Sequence, residues 1–291
     1  MAESGSERFF GGHMKQSISR FASRPVAVVE VEATVQDALQ IMSDRCISCI
    51  VVLSHNEPIG ILTERDVVFA ANWLLGQPDL LIKEVMNKPV MTASEDMTVA
   101  QAYRVFFQHK IRHLVILDAH LNMVGIFTQT DLVRSLQEKA FDGINDVSQL
   151  MSSQVLHVTS DVPARYALSL MARRSVSCIV VMKDHQPVGI FTERDVVRCI
   201  AKSVDLSAVP VGHVMSPTVV TTPLTATPLD TIGLMLKKSI RRLLVVDERG
   251  EMTGILTQTD IGRVLDRQKP ALIDRLLGVV TPLGDVLQGT M

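Results

Sequence analysis

Apolar residues recur along this chain in two alternating rhythms. Val35, Ala38, Leu39 and Met42 follow the i, i+3, i+4, i+7 spacing that lays one apolar stripe along an α-helix. Val99, Ala102, Tyr103 and Phe106 repeat the pattern, as do Ala164, Ala167, Leu168 and Met171. Between these stripes stand apolar runs at 47–53, 111–117, 176–182 and 240–246. Within the first, residues 50–53 are mostly β-branched, as expected of a strand buried on both faces. Thr34 and Thr98 are placed to cap the helices that follow them. Pro163 fits a first helical turn behind Asp161 or Ser160. His55-Asn56-Glu57 and Glu248-Arg249-Gly250 mark polar turns.

These elements belong to a repeat. Gly60-Ile-Leu-Thr-Glu-Arg-Asp66 returns as Gly125-Ile-Phe-Thr-Gln-Thr-Asp131, Gly189-Ile-Phe-Thr-Glu-Arg-Asp195 and Gly254-Ile-Leu-Thr-Gln-Thr-Asp260. The glycines are 65, 64 and 65 residues apart. An opening segment recurs in the same register as Phe21-Ala22, Val85-Met86, Leu150-Met151 and Val214-Met215, completed by Val26, Val90, Val155 and Val219. A second period of 129 residues overlies the first: repeats one and three share T-E-R-D and S-C-I-V-V. Repeats two and four share T-Q-T-D, an I-R-basic-L string and a hairpin one residue longer. The duplicated unit is therefore a pair, in the order A-B-A-B.

Each repeat reads as strand, helix, strand, hairpin, strand, helix. A unit of about 60 residues has too small a core to stand well alone, so pairing is expected. The expected boundaries are 16–80, 81–142, 143–207 and 208–268, with 1–15 a disordered start or tag and 269–291 a C-terminal helix or linker.

The pattern of an opening h-M-x-x-x-V, a helix, a β-hairpin and G-h-x-T-x-x-D resembles the CBS (cystathionine-β-synthase) repeat, four times over from about Ile18 to Asp266. The resemblance implies an α/β (α+β) fold of β-α-β-β-α repeats. It implies two pseudo-twofold pairs stacked as a disk, which one chain could complete or a homodimer extend.

The G-h-x-T-x-x-D turn has a concrete chemical use. Where a strand gives way to a helix, free N–H groups and the positive end of the helix dipole face the adjacent space. A carboxylate one turn in can accept two hydrogen bonds from a ribose diol, and the Thr hydroxyl can bond sugar or phosphate. The resemblance implies such roles for Thr63 and Asp66, Thr128 and Asp131, Thr192 and Asp195, and Thr257 and Asp260, with apolar strand residues sandwiching adenine. The alternative is a capping box that needs no ligand. Asp stands in all four copies where Glu or Gln would close a box better, which tilts the reading toward binding in at least some of them.

The even repeats add positive charge at the start of the second strand, in His109-Lys110-Ile111-Arg112-His113 and Lys237-Lys238-Ser239-Ile240-Arg241-Arg242. These strings resemble those of the γ subunit of AMP-activated protein kinase, which implies phosphate contacts from Arg112, His113, Arg241 and Arg242. The guanidinium fork suits phosphate; a solvated strand entry with surface ion pairs is the alternative. Odd repeats carry Ser48-Cys49 and Ser177-Cys178 instead, so unequal sites are expected, the even ones favouring phosphorylated ligands. Arg65 and Arg194 are expected to pair with acids rather than bind ligand. His109 and His113 have the spacing of a helical metal pair, but the second enters a strand, so no metal site is expected.

Composition narrows the function. The chain is 47% hydrophobic and 21% charged with a formal charge of −2, globular and without a basic face for nucleic acid. No apolar run approaches the roughly 20 residues that cross a bilayer. The start lacks the apolar core of a signal peptide. Gly12-His13-Met14 has the form of a cloning remnant, so residues 1–14 are set aside. Four cysteines do not make a disulfide framework; Cys46 and Cys49 read as small buried hydrophobes, which fits a reduced cytoplasmic setting. Phosphate-loop, nucleophile-elbow, zincin and dinucleotide motifs are absent. Fourfold recurrence also argues against catalysis, which needs one unique constellation.

The expected function is a regulatory sensor that binds an adenosine-containing nucleotide, ATP, ADP, AMP or S-adenosylmethionine, with no covalent cofactor and with magnesium as a candidate companion. It would relay occupancy to an unidentified effector. Leu272, Ile273, Leu276 and Leu277 form a candidate docking helix toward it. A ligand-free interaction module with purely capping T-x-x-D motifs is the alternative.

Overall fold

The structure, a computed structural model, describes residues 15–77 and 79–264. The candidate docking helix and residues 1–14 lie outside the described residues.

Each repeat folds as β-α-β-β-α. The first comprises β1 (Val28–Glu30), α1 (Val35–Asp44), β2 (Cys49–Ser54), β3 (Glu57–Thr63) and α2 (Glu64–Leu74). The second comprises β4 (Thr92–Ser94), α3 (Val99–His109), β5 (His113–Leu117), β6 (Met123–Thr128) and α4 (Gln129–Ser135). The third comprises β7 (His157–Thr159), α5 (Ala164–Arg174), β8 (Cys178–Lys183), β9 (Gln186–Thr192) and α6 (Glu193–Ala201). A one-turn helix, α7 (Val211–Val214), precedes the fourth: β10 (Thr221–Pro223), α8 (Pro228–Lys237), β11 (Arg242–Val246), β12 (Met252–Thr257) and α9 (Gln258–Gly262). In every repeat the central strand pairs parallel with the first and antiparallel with the third. The result is the mixed α/β layer expected from the two rhythms.

Helix ends follow the local chemistry. Thr34, Thr98 and Thr227 accept a hydrogen bond from the backbone three residues on. Pro163 departs from expectation: it is itself the N-cap, α5 begins at Ala164, and no side chain from Ser160 or Asp161 caps the helix. The first helix of each repeat is followed by a residue with left-handed φ: Cys46 (52°), Lys110 (54°), Ser175 (52°) and Ser239 (53°). This position turns outward, so Cys46 is exposed rather than a buried hydrophobe, whereas Cys49, Cys178 and Cys199 are buried. The odd hairpins close through two left-handed residues, His55-Asn56 and Asp184-His185. The longer even hairpins are held by Asp118 and Asp247, whose carboxylates accept backbone N–H groups two and four residues on.

The repeats gather into two compact units. One holds residues 27–90 and 155–219, repeats one and three; of the described residues, the other holds 15–26, 91–154 and 220–264, repeats two and four. In the odd unit α6 packs against both α1 and α2 over a core that includes Leu39, Ile50, Leu62, Met171 and Phe191. In the even unit α4 packs against α9 over Leu114, Ile116, Leu132, Met235 and Leu243, with Phe106 stacked on Phe127 at 5.7 Å. Each such side chain stabilises the fold by roughly 1.5–3 kcal/mol.

The opening segments cross over. The segment that opens repeat one docks on repeat two, where the Ile18 N–H donates to Met97 at 2.8 Å and Ser23 bridges Ile126. The segment opening repeat two docks on repeat one, bridging Asn87 to Ile61. The same exchange joins Ser152 to Ile255 and Ser216 to Ile190. This crossing explains the recurring glycine and methionine. Met86, Met215 and Met151 lie over Gly60, Gly189 and Gly254, where a Cβ would collide with them. At Gly189 and Gly254 it would also come within 2.8 and 2.9 Å of the Ser216 and Ser152 carbonyl oxygens. Ala22 replaces the methionine over Gly125, leaving 3.1 Å.

Candidate functional site

Each T-x-x-D motif straddles a strand-to-helix junction. Thr63 ends β3 with extended backbone; its N–H and Oγ1–H donate to Asp66 Oδ2 at 2.8 and 2.6 Å, and its Oγ1 accepts from the Asp66 N–H at 3.4 Å. Thr128 with Asp131, Thr192 with Asp195 and Thr257 with Asp260 do the same. All four are closed capping boxes. Glu or Gln is expected to close such a box better, yet Asp closes it in every copy: the extended Thr backbone brings its N–H within 2.9 Å of the carboxylate in repeats two to four. Each cap stabilises its helix by about 1 kcal/mol.

The second carboxylate oxygen differs among repeats. Asp195 Oδ1 accepts from Arg198 Nη2 at 2.7 Å and from Ser216 Oγ at 2.9 Å, with its side chain 1% exposed. Asp131 Oδ1 meets Arg134 Nη1 at 3.2 Å, and burial pushes the Asp131 pKa up against the opposing pull of the Thr128 bonds and Arg134. Asp260 Oδ1 meets Arg263 Nη1 at 3.3 Å and is 14% exposed. In repeat one the residue three beyond the Asp is Phe69, and Asp66 is only half-buried. Sequence reading missed Arg134, Arg198, Arg263 and Ser216. The arginines were legible as T-x-x-D-x-x-R in three of the four repeats; Ser216, brought in by the crossed segment, was not.

The basic strings lie against the same turns. His113 opens β5 directly opposite Thr128, and Arg242 opens β11 opposite Thr257; both are buried. The carbonyls of Arg112 and Arg241 accept from the Gln129 and Gln258 N–H groups at 3.0 Å, tying strand entry to helix start. In the odd repeats Cys49 and Cys178 face Thr63 and Thr192, and Ser48 and Ser177 accept from Glu64 and Glu193. Basic side chains thus stand beside the even turns where the odd turns have thiols. His109 ends α3 while His113 lies in a strand beyond left-handed Lys110, so the two are not one helical pair.

The middle letters of the motif face a second repeat. Arg194 Nε lies 3.2 Å from Glu64 Oε1, and Arg65 Nε lies 3.7 Å from Glu193 Oε1. The arginines pair with acids as expected, but the acids belong to the other repeat of the unit. In the even unit Thr130 Oγ1 donates to Gln258 at 2.9 Å and Thr259 Oγ1 donates to Gln129 at 3.3 Å. Among the described residues no helix is long and apolar enough to cross a membrane.

Comparison with known proteins places these features in context. The sequence is 27% identical over 201 residues to protein MJ1225 of Methanocaldococcus jannaschii, covering 64% of this chain and 71% of that one. The crystal structure of MJ1225, described as a candidate archaeal homolog of g-AMPK, superposes with a TM-score of 0.73 at 19% identity over 85% of this chain and 99% of that one. Over 141 residues, 47% of this chain, the sequence is 29% identical to the L-aspartate semialdehyde sulfurtransferase of the same organism, of which it spans only 27%. The CBS domain protein PAE2072 of Pyrobaculum aerophilum, solved in complex with AMP, is similar at 22% identity over 40% of this chain and 88% of that one, with a TM-score of 0.37. The CBS domain pattern itself matches four times, at residues 18–72, 82–138, 147–202 and 211–267, and the chain belongs to the CBS domain family.

Proposed function

We propose that this chain is a regulatory sensor that binds an adenosine-containing nucleotide beside its strand-to-helix turns and relays occupancy to a partner. The observation that carries the reading is the fourfold turn itself, in a CBS-family chain: a Thr hydroxyl and a carboxylate together at each helix start, with basic side chains added at the even ones. In this reading Asp66, Asp131, Asp195 and Asp260 accept the ribose diol, while Thr63, Thr128, Thr192 and Thr257 bond sugar or phosphate. Arg112, His113, Arg241 and Arg242 take the phosphates, and magnesium accompanies a di- or triphosphate.

The sites are unequal. At Asp195 a ligand must displace both Arg198 and Ser216 from the second oxygen. Asp66 has no arginine three residues on. Repeat four joins a partly open carboxylate at Asp260 to the basic pair Arg241 and Arg242, which favours it for a phosphorylated ligand. Binding acts by preferring one arrangement of the repeats and shifting the population toward it. The chain does this without catalysis, because four similar turns do not make one reactive constellation.

The four closed boxes favour a second reading, in which the motifs only cap helices and the chain is a ligand-free interaction module. Mass spectrometry of small molecules released from freshly purified protein separates the two. An adenosine compound in stoichiometric amount supports the sensor; its absence, with no thermal shift on adding ATP, ADP, AMP or S-adenosylmethionine, supports the module.

A further inference from the structure

In the odd unit α2 and α6 meet about a local twofold. Residue 64 faces 194 and residue 65 faces 193, the self-complementary exchange of an isologous contact. In the even unit α4 and α9 meet the same way, 129 facing 259 and 130 facing 258. The first axis is closed by two Glu–Arg pairs and the second by two Gln–Thr pairs. We infer that the two middle residues of T-x-x-D are a pairing code: E-R selects E-R, Q-T selects Q-T, and the code sorts four repeats of one fold into the pairs one with three and two with four.

The physical basis is charge and reach together. Glu64 and Glu193 are almost wholly enclosed, 1% and 3% exposed, while their arginine partners are more than a third exposed. The arginines therefore reach inward from the edge to the buried carboxylates. Set against Q-T, either Glu would meet a threonine hydroxyl in place of the guanidinium that reaches it from the other repeat, and a buried carboxylate would lose that charge pair. The same axis would then carry one long Arg–Gln contact and one short Glu–Thr contact, which a symmetric helix pair cannot close equally. The matched axes avoid both faults. The 129-residue period in the sequence is the trace of this sorting. The code stands whether or not the chain binds a nucleotide.

Swapping the code in the full-length chain tests it. The variants are Glu64→Gln with Arg65→Thr, Glu193→Gln with Arg194→Thr, and all four together, each followed by equilibrium unfolding in urea. Each single-repeat swap is expected to raise the unfolding equilibrium constant by on the order of tenfold, and the fourfold swap to restore most of the lost stability. Should a single swap prevent folding, the reverse exchange in the even unit supplies the same comparison: Gln129→Glu with Thr130→Arg, with and without Gln258→Glu and Thr259→Arg. Losses that simply multiply, or single swaps without effect, would show that each residue acts on its own helix and would overturn the code.

Discussion

Arg198 Nη2 donates to Asp195 Oδ1 at 2.7 Å, and this one bond changes what the most enclosed of the four motif carboxylates can do. With Thr192 on Oδ2 and Ser216 also on Oδ1, Asp195 joins the motif, the helix it starts and the crossed segment. Asp66 has the threonine half of that network but neither of the other two partners' counterparts in its bonding. Replacing Asp195 by Ala is expected to destabilise the chain by about 2–3 kcal/mol, and Asp66→Ala by about 1 kcal/mol. Urea unfolding of the two variants measures the difference. Equal losses would mean that the second oxygen contributes nothing.

The packing glycines give a second expectation. Gly189→Ala drives a Cβ against Met215 and to 2.8 Å from a backbone carbonyl that cannot step aside. A loss of about 1–3 kcal/mol is expected. Gly125→Ala meets only Ala22 at 3.1 Å and Arg24 at 3.3 Å, and a loss under about 1 kcal/mol is expected. Melting temperatures of the two variants should fall in that order.

Asp131 sets a pH dependence. Burial, the largest influence, raises its folded pKa above the ordinary 3.8. The folded chain then holds this proton more tightly than the unfolded one, so the group's stabilisation is full below 3.8 and is lost as pH rises through the folded value. Asp131→Asn removes that loss. The variant's melting temperature relative to the parent should be more favourable at pH 7 than at pH 3. The reverse order would mean that Arg134 and Thr128 outweigh burial.

The thiols differ enough to count. Cys46 is exposed at a left-handed turn, whereas burial pushes the Cys199 thiol up to about 11. A colorimetric disulfide reagent at pH 8 should label Cys46 rapidly and Cys199 only on unfolding. Cys46→Ser should abolish the fast phase; persistence of that phase would place a reactive thiol elsewhere.

Much of this architecture was legible because its signals are local and repeated four times. The stripe Val35, Ala38, Leu39 and Met42 is the buried face of α1, and the run at 50–53 is buried in β2. The T-x-x-D junctions fell where the glycine register put them. What escaped depends on residues far apart in sequence. Ser216 reaches Asp195 only because the opening segments cross, and Glu64 meets Arg194 only because α2 packs on α6. Cys46 was misread because an apolar neighbourhood in sequence does not reveal a left-handed turn that faces outward. That Asp itself closes each box was not the favoured reading; it does so because the extended backbone of the preceding Thr brings its N–H to the carboxylate.

Calorimetric titration of AMP into the intact chain and into Asp260→Ala tests the sensor most directly. The account predicts binding below millimolar concentration, weakened at least about tenfold in the variant by loss of the charge-assisted bonds to the diol. No heat with AMP, ADP, ATP or S-adenosylmethionine at millimolar concentration would contradict it. So would binding left unchanged by Asp260→Ala, Asp131→Ala and Asp66→Ala alike.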